Sequence, residues 1–345
     1  MSIVTLLPLT ENYTKKKAGA ASLAVFDSII YSKYKNIILG NTDLKDYLSR
    51  NYININFKKK FFFSSRNTAY LNKIFYKLKF IQFDILEVYN RPEFVHFFLK
   101  KKIKQKIILH IINDPLNLRG SKTIRDRISL IKNCHIVFIS KWTKKRFFTG
   151  LKDKNIKKFK IIPPGCVKPN KFPIKKKYVV FAGKLNNSKG FDVFGDSIVD
   201  FLDNYKDWKC LVIGDEPREK HIFNHPRLIF KGWLSQKQTL LHFSYSSICV
   251  VPSRWEEPFG RVSMEAAAFG CANIISNRGG LPETCKFKIV LKELNKSNLL
   301  SKLSYLAKNE KKCSDLQKKS YKFHKNTPQK SVQLLDSFRQ SILLY

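Results

Sequence analysis

One stretch constrains this chain more than any other: Ser253-Arg254-Trp255-Glu256-Glu257-Pro258-Phe259-Gly260-Arg261-Val262-Ser263-Met264-Glu265-Ala266-Ala267-Ala268-Phe269-Gly270. The apolar run Ile248-Cys249-Val250-Val251 precedes it, and strong helix formers from Met264 to Ala268 end at Gly270. A strand must therefore pass through a loop into a short helix that starts near Gly260. Glu257 falls in the loop and Glu265 about one turn inside the helix, so a ligand along this helix end can touch both carboxylates at points roughly 6 Å or more apart. Between them, the free backbone N–H groups of the first turn, helped by Arg261, form an anion site. Phosphate flanked by groups that offer hydroxyls to carboxylates describes a sugar nucleotide. The plainer alternative is a capped Rossmann helix with surface glutamates.

The same strand-to-helix pattern recurs along the chain. Apolar strands are expected at residues 3–7, 84–89, 106–112, 135–140 and 159–163, then at 178–182, 209–213, 227–230, 273–276 and 288–291, with helical periodicity between most of them. Such alternation predicts parallel, doubly wound sheets. The 345 residues suffice for two domains of this kind. Pro163-Pro164-Gly165 and the lysine-rich segment after it read as the crossing between them. The expected domains are residues 1–169 and 170–345. Residues 302–345 are helical in pattern, with Val332, Leu335, Phe338 and Ile342 on one face of the last helix.

The Glu-x7-Glu spacing of Glu257 and Glu265, set in Glu-Pro-Phe-Gly and followed by Arg278-Gly279-Gly280-Leu281-Pro282-Glu283, resembles the donor site of retaining glycosyltransferases of family 4. That resemblance implies the GT-B fold: two Rossmann-like domains facing a cleft, with the last helix, about residues 330–345, crossing back onto the N-terminal domain. It also implies transfer of a sugar from a nucleoside-diphosphate donor, a UDP-sugar above all, to a glycolipid or surface-polysaccharide acceptor such as a lipopolysaccharide. In the family's pattern Glu257 holds the donor sugar's hydroxyls and Glu265 the ribose, while Phe259, Gly260, Arg261 and Val262 form the turn at the phosphates. Gly183-Lys184-Leu185 with Ser188-Lys189-Gly190 is similar to the family's diphosphate-holding element. Lys184 stands where arginine is usual, which keeps the charge and loses the bidentate fork. Trp233 and Leu234, after a strand end, are candidate neighbours of the base, with core packing the equal alternative.

In the N-terminal half, Gly19 opens a small-residue loop of the kind that approaches a donor phosphate. The strand at 106–112 leads to Asn113-Asp114-Pro115, where relatives commonly keep a histidine; Ile112 occupies its place here. His110 and Asn113 are the candidates for that catalytic role, although a lone histidine in an apolar strand is usually a packed core residue. The departure keeps a second reading open, a catalytically silent sugar-nucleotide-binding partner of a polysaccharide assembly. No Asp-x-Asp occurs, so neither a metal nor another cofactor is expected.

The formal net charge of +39 invites a nucleic-acid reading. Lysines spread along the whole chain, without an arginine-rich helix or a known nucleic-acid module, argue against it. An anionic membrane surface or an acidic glycolipid suits the charge better. Lys58-Lys59-Lys60-Phe61-Phe62-Phe63, with the lysine-flanked helix after it, could dock on such a surface or could simply precede a core-facing helix. Seven scattered cysteines without a Cys-x-x-Cys spacing suggest neither disulfides nor zinc and fit a reducing cytosol. No apolar run approaches the roughly 18–20 residues of a membrane span. A cytoplasmic protein, peripheral on the inner face of the membrane where it docks, is the expectation.

Overall fold

The computed structural model describes residues 1–58, 65–151 and 158–344. The chain divides into two compact units, Met1–Gly165 with Pro328–Tyr345, and Cys166–Thr327. Unit 1 runs β1 (Ser2–Leu6), α1 (Ala20–Tyr31), β2 (Lys35–Gly40), β3 (Tyr52–Asn54), α2 (Arg66–Leu78), β4 (Ile85–Tyr89), α3 (Pro92–Lys100), β5 (Lys106–Ile111), α4 (Ile124–Asn133), β6 (His135–Phe138), α5 (Lys141–Phe147) and β7 (Phe159–Ile161). Unit 2 runs β8 (Lys176–Ala182), α6 (Phe191–Asn204), β9 (Lys209–Ile213), β10 (Leu228–Phe230), α7 (Gln236–Tyr245), β11 (Ser246–Val251), α8 (Arg261–Ala268), β12 (Ala272–Ser276), β13 (Ile289–Leu291), α9 (Lys296–Lys308) and α10 (Glu310–Phe323). The last helix, α11 (Pro328–Leu343), returns to unit 1.

Among the described residues each unit has one parallel sheet, ordered β3-β2-β1-β4-β5-β6-β7 and β10-β9-β8-β11-β12-β13. Both orders reverse beside the first strand of the unit, the signature of a doubly wound, Rossmann-like fold. Helices on both faces require strands that are apolar throughout. β11 and β12 are accordingly buried at every position. The expected boundary at residue 169 differs from the observed division because Cys166 to Pro169 bond within unit 2. Cys166 N–H donates to the Asn326 carbonyl at 2.9 Å, and the Tyr321 hydroxyl donates to the Pro169 carbonyl at 2.7 Å.

β2 and β3 were not among the expected strands. β3 spans three residues at the sheet edge, and the apolar run of β2 is only Ile37-Ile38-Leu39 between Asn36 and Gly40, so neither has a long apolar signal. In α2, Leu71, Ile74 and Leu78 enter the unit 1 core, whereas Tyr76 stays exposed. Residues 59–63, most of the lysine–phenylalanine run, lie outside the described residues. None of the seven cysteines forms a disulfide.

α11 is held by a buried charge network as well as by apolar contact. Val332, Leu335, Phe338 and Ile342 are buried, and three of them join Ile3, Ile85, Ile108 and Val137 in one cluster. Arg339, fully buried, donates two hydrogen bonds of 2.7 and 2.8 Å to Glu87 on β4 and one of 2.8 Å to Asp336. Burial alone would raise the Glu87 carboxyl, but Arg339 and His110 outweigh it and hold Glu87 well below the ordinary carboxylate range. Replacing Arg339 with Met strands a buried carboxylate, so unfolding stability should fall by about 3–5 kcal/mol in urea titrations at neutral pH. In wild type the Glu87 contribution is fully present above the unfolded carboxylate pKa near 4.5 and is lost as pH falls towards the depressed folded value. Arg339→Met should lack that acid-side loss.

Candidate functional site

The loop after β11 is fixed by the segment after β8. Arg254 and Trp255 donate backbone N–H groups to the Ser188 carbonyl at 3.0 and 2.9 Å. Asn186 caps the short 3-10 turn Asn187–Lys189 by accepting from Lys189 N–H at 3.1 Å. This pairing brings the Lys189 ammonium to 2.6 Å from Glu257 Oε1, with its Nζ 4.6 Å from the centre of the Trp255 ring.

The two halves of the sequence motif meet at Glu257. Gly280 N–H donates to the Glu257 carbonyl at 2.6 Å, and Gly279 N–H donates to the Glu256 carboxylate at 2.6 Å. Gly279 has φ +59, and a Cβ there would overlap the Glu257 backbone. Glycine is needed at this position on both counts.

Gly260, at φ +102, is the N-cap of α8. A side chain there would run into Leu281. No side chain caps this helix, so the first-turn N–H groups remain available. Arg261 opens the helix and Glu265 sits one turn in, 6 % exposed. Glu265 Oε1 accepts from Gln236 Nε2 at 2.8 Å and from Arg261 at 3.1 Å. Unit 2 therefore gathers Lys189, Glu257, Arg261 and Glu265 around an uncapped helix start.

The remaining unit 2 candidates divide by burial. Lys184 follows the end of β8 and is exposed. Two hydrogen bonds from Arg218, at 2.6 and 2.7 Å, lower the neighbouring Glu216 carboxyl to about 2, with Lys184 a lesser contributor. Trp233 is 67 % exposed, which removes it from the core. Leu234 and Val262 are half-buried against the cluster that contains Val180 and Phe243, and Phe259 is buried.

In unit 1, Gly19 is the N-cap of α1, and Glu11 fills the space beside it. Glu11 Oε1 accepts Ser22 N–H at 3.0 Å, so a carboxylate of the protein itself occupies this helix start. His110 is buried, stacked on Tyr89 at 4.0 Å between ring centres. Its Nε2 lies 3.3 Å from Glu87 Oε2, poorly aligned for a hydrogen bond. His110 thus abuts the network that anchors α11, while its ring also borders a pocket shared with Tyr89, Ile112 and Asp27. Asn113 is exposed, and its backbone N–H donates to Asn90 Oδ1 at 3.1 Å.

Sequence reasoning missed Gln236, Trp255, Asn186 and Glu11. Ser235 and Gln238 form a capping box that announces α7, and that box would have placed Gln236 at a helix start. The other three depend on contacts across the fold. Among the described residues no group of three or more His, Cys, Asp or Glu side chains could hold a metal ion, and no helix is long and apolar enough to cross a membrane.

Replacing Gly279 with Ala should destabilise the chain by about 1–2 kcal/mol or more through its left-handed backbone. The overlap with Glu257 should also displace that residue. Melting temperature, together with any nucleotide-sugar affinity of the folded fraction, measures both effects.

Residues 167–323 match the model of the family described as glycosyl transferases group 1. YtcC of Bacillus subtilis (strain 168) is 24% identical over 261 residues, 66% of this chain and 64% of YtcC. The chain thus spans less than two thirds of that relative's length. Among solved structures, Anabaena Alr3699/HepE in complex with UDP and glucose aligns with a TM-score of 0.77 at 13% identity, covering 99% of this chain and 100% of that one. Sucrose-phosphate synthase from Thermosynechococcus elongatus aligns with a TM-score of 0.76 at 14% identity, covering 100% of both. Two Rossmann-like units of the GT-B type are the fold, and the stretch that matches the group 1 glycosyl transferase model lies within unit 2.

Proposed function

We propose that the chain is a retaining, metal-independent glycosyltransferase whose unit 2 binds a nucleoside-diphosphate sugar. The observation that carries this reading is the pairing of two cations with two nearly buried carboxylates at the uncapped start of α8. The cations and the helix start suit a diphosphate, and they act most strongly as charge develops on the departing group. The carboxylates suit hydroxyls, Glu257 those of the sugar and Glu265 those of the ribose. Lys184 adds charge at the diphosphate, and Phe259, Gly260 and Val262 shape the turn that holds it. Exposed Trp233, with Leu234, offers a surface for the base; the UDP bound by HepE supports a uridine donor.

No protein nucleophile is required. In a frontal displacement the bond from the anomeric carbon to the diphosphate breaks as the acceptor oxygen bonds to that carbon on the same face. The leaving phosphate takes the acceptor hydroxyl's proton, so the protein's task is positioning. We assign the acceptor, a glycolipid or surface-polysaccharide chain such as lipopolysaccharide, to unit 1, with His110 and Asn113 as its candidate catalytic contacts; Gly19, expected at the donor phosphate, has its helix start filled by Glu11. The high positive charge supports a cytoplasmic protein that works at an anionic membrane surface. A silent sugar-nucleotide-binding role is the second reading, favoured by Ile112 at the usual histidine position and by the burial of His110.

A panel of nucleotide sugars, scored for nucleoside diphosphate release with and without lipid-linked acceptors, separates these readings. Turnover with one donor and acceptor supports the enzyme; donor binding without turnover for any pair supports the silent binder. Glu265→Ala should weaken UDP and UDP-sugar alike, by about 1.5–3 kcal/mol for one charge-assisted hydrogen bond, as read by calorimetry. Glu257→Ala should cost turnover without weakening UDP. Retained turnover per folded molecule in His110→Ala, with a lowered melting temperature, would assign His110 to the α11 anchor instead of to transfer.

A further inference from the structure

Resting on the donor-site reading above, we propose that Lys189 and Glu257 exchange partners when a donor binds, and that this exchange selects an intact nucleotide sugar over a bare diphosphate. In the structure the ammonium and the carboxylate lie 2.6 Å apart, with side chains 23 % and 10 % exposed. Each satisfies the other, so neither is free for a ligand. A diphosphate alone takes Lys189 and strands Glu257, a nearly buried carboxylate whose ionic partner has left. A nucleotide sugar takes Lys189 with its phosphates and returns hydroxyl donors to Glu257. Its binding leaves no group unpaired.

The surroundings suit an exchange over a short distance. The Trp255 ring, 4.6 Å from Lys189 Nζ, gives the ammonium a second attraction that survives loss of the carboxylate. Trp255 is therefore a positioning residue for Lys189. The Glu257 main chain is fixed by Gly280, so the residue keeps its place in the loop when Lys189 turns away. The second pair differs, because Glu265 keeps its 2.8 Å hydrogen bond from Gln236 when Arg261 engages phosphate. Lys189–Glu257 alone of these two pairs leaves its carboxylate without another side-chain hydrogen bond among those the described residues make.

Calorimetry of the full chain with inorganic pyrophosphate, UDP and UDP-glucose tests the exchange in wild type, Glu257→Gln, Lys189→Met and the double variant. Glu257→Gln should bind pyrophosphate about three- to tenfold more tightly, the range expected when one partly exposed ion pair no longer competes. Its preference for UDP-glucose over UDP should shrink. Lys189→Met should weaken pyrophosphate binding, and adding Glu257→Gln to it should then change nothing. Glu257→Asp, which keeps the charge but shortens the reach, should shift pyrophosphate affinity in the same direction and serves if the Gln variant folds poorly by thermal melting. The exchange is overturned if pyrophosphate binds Glu257→Gln and Glu257→Asp no more tightly than wild type while Lys189→Met binds it more weakly. Wild-type affinity of Lys189→Met for all three ligands would overturn the donor role of Lys189 itself.

Discussion

The backbone hydrogen bond from Gly280 to the Glu257 carbonyl, with Gly279 pressed against the same peptide, is the contact on which the unit 2 site depends. It ties the loop after β11 to the segment after β12, two parts of the chain separated by all of α8. Only glycine tolerates both the left-handed backbone and the overlap at position 279. With Glu257 fixed in this way, Lys189 has a defined target and the uncapped start of α8 stands beside a set carboxylate. A site assembled from strand ends and held by backbone contacts keeps its geometry without depending on flexible side chains.

A second constraint governs unit 1. Arg339, Glu87 and Asp336 are charged groups in an apolar interior, tolerable only because each finds its partner at hydrogen-bonding distance. The Glu87 carboxylate also faces His110, so the residue that sequence comparison would most readily make catalytic borders the anchor of the last helix. Placement at the carboxyl end of a parallel sheet favours a functional role, and contact with a buried ion pair favours a structural one. In this chain the two coincide.

Most of the architecture was legible because parallel strands covered on both faces must be apolar, and β1, β4, β5, β8, β9, β11 and β12 carry that signal in their residues. β3 is too short to carry it, and in β2 the apolar run is only Ile37-Ile38-Leu39, between Asn36 and Gly40. Glu257, Gly260, Arg261 and Glu265 could be placed because strand, loop and helix start follow one another directly in the sequence. Gln236 and Trp255 could not be given their partners, since those contacts join elements that only the fold brings together. Glu11 was hidden for the same reason. Its carboxylate satisfies the α1 start, where a glycine in the sequence had suggested room for phosphate.

Hydrogen–deuterium exchange of the full chain, with and without UDP-glucose, addresses the central claim that the start of α8 and the turn before α6 together hold the donor. Open N–H groups of an uncapped helix start exchange readily and become protected when an anion accepts from them. The expected result is ligand-dependent protection in peptides covering residues 183–190 and 257–265, with little change in those covering α9 and α10. Protection confined to other parts of the chain, with both of these segments unchanged at saturating donor, would contradict the account.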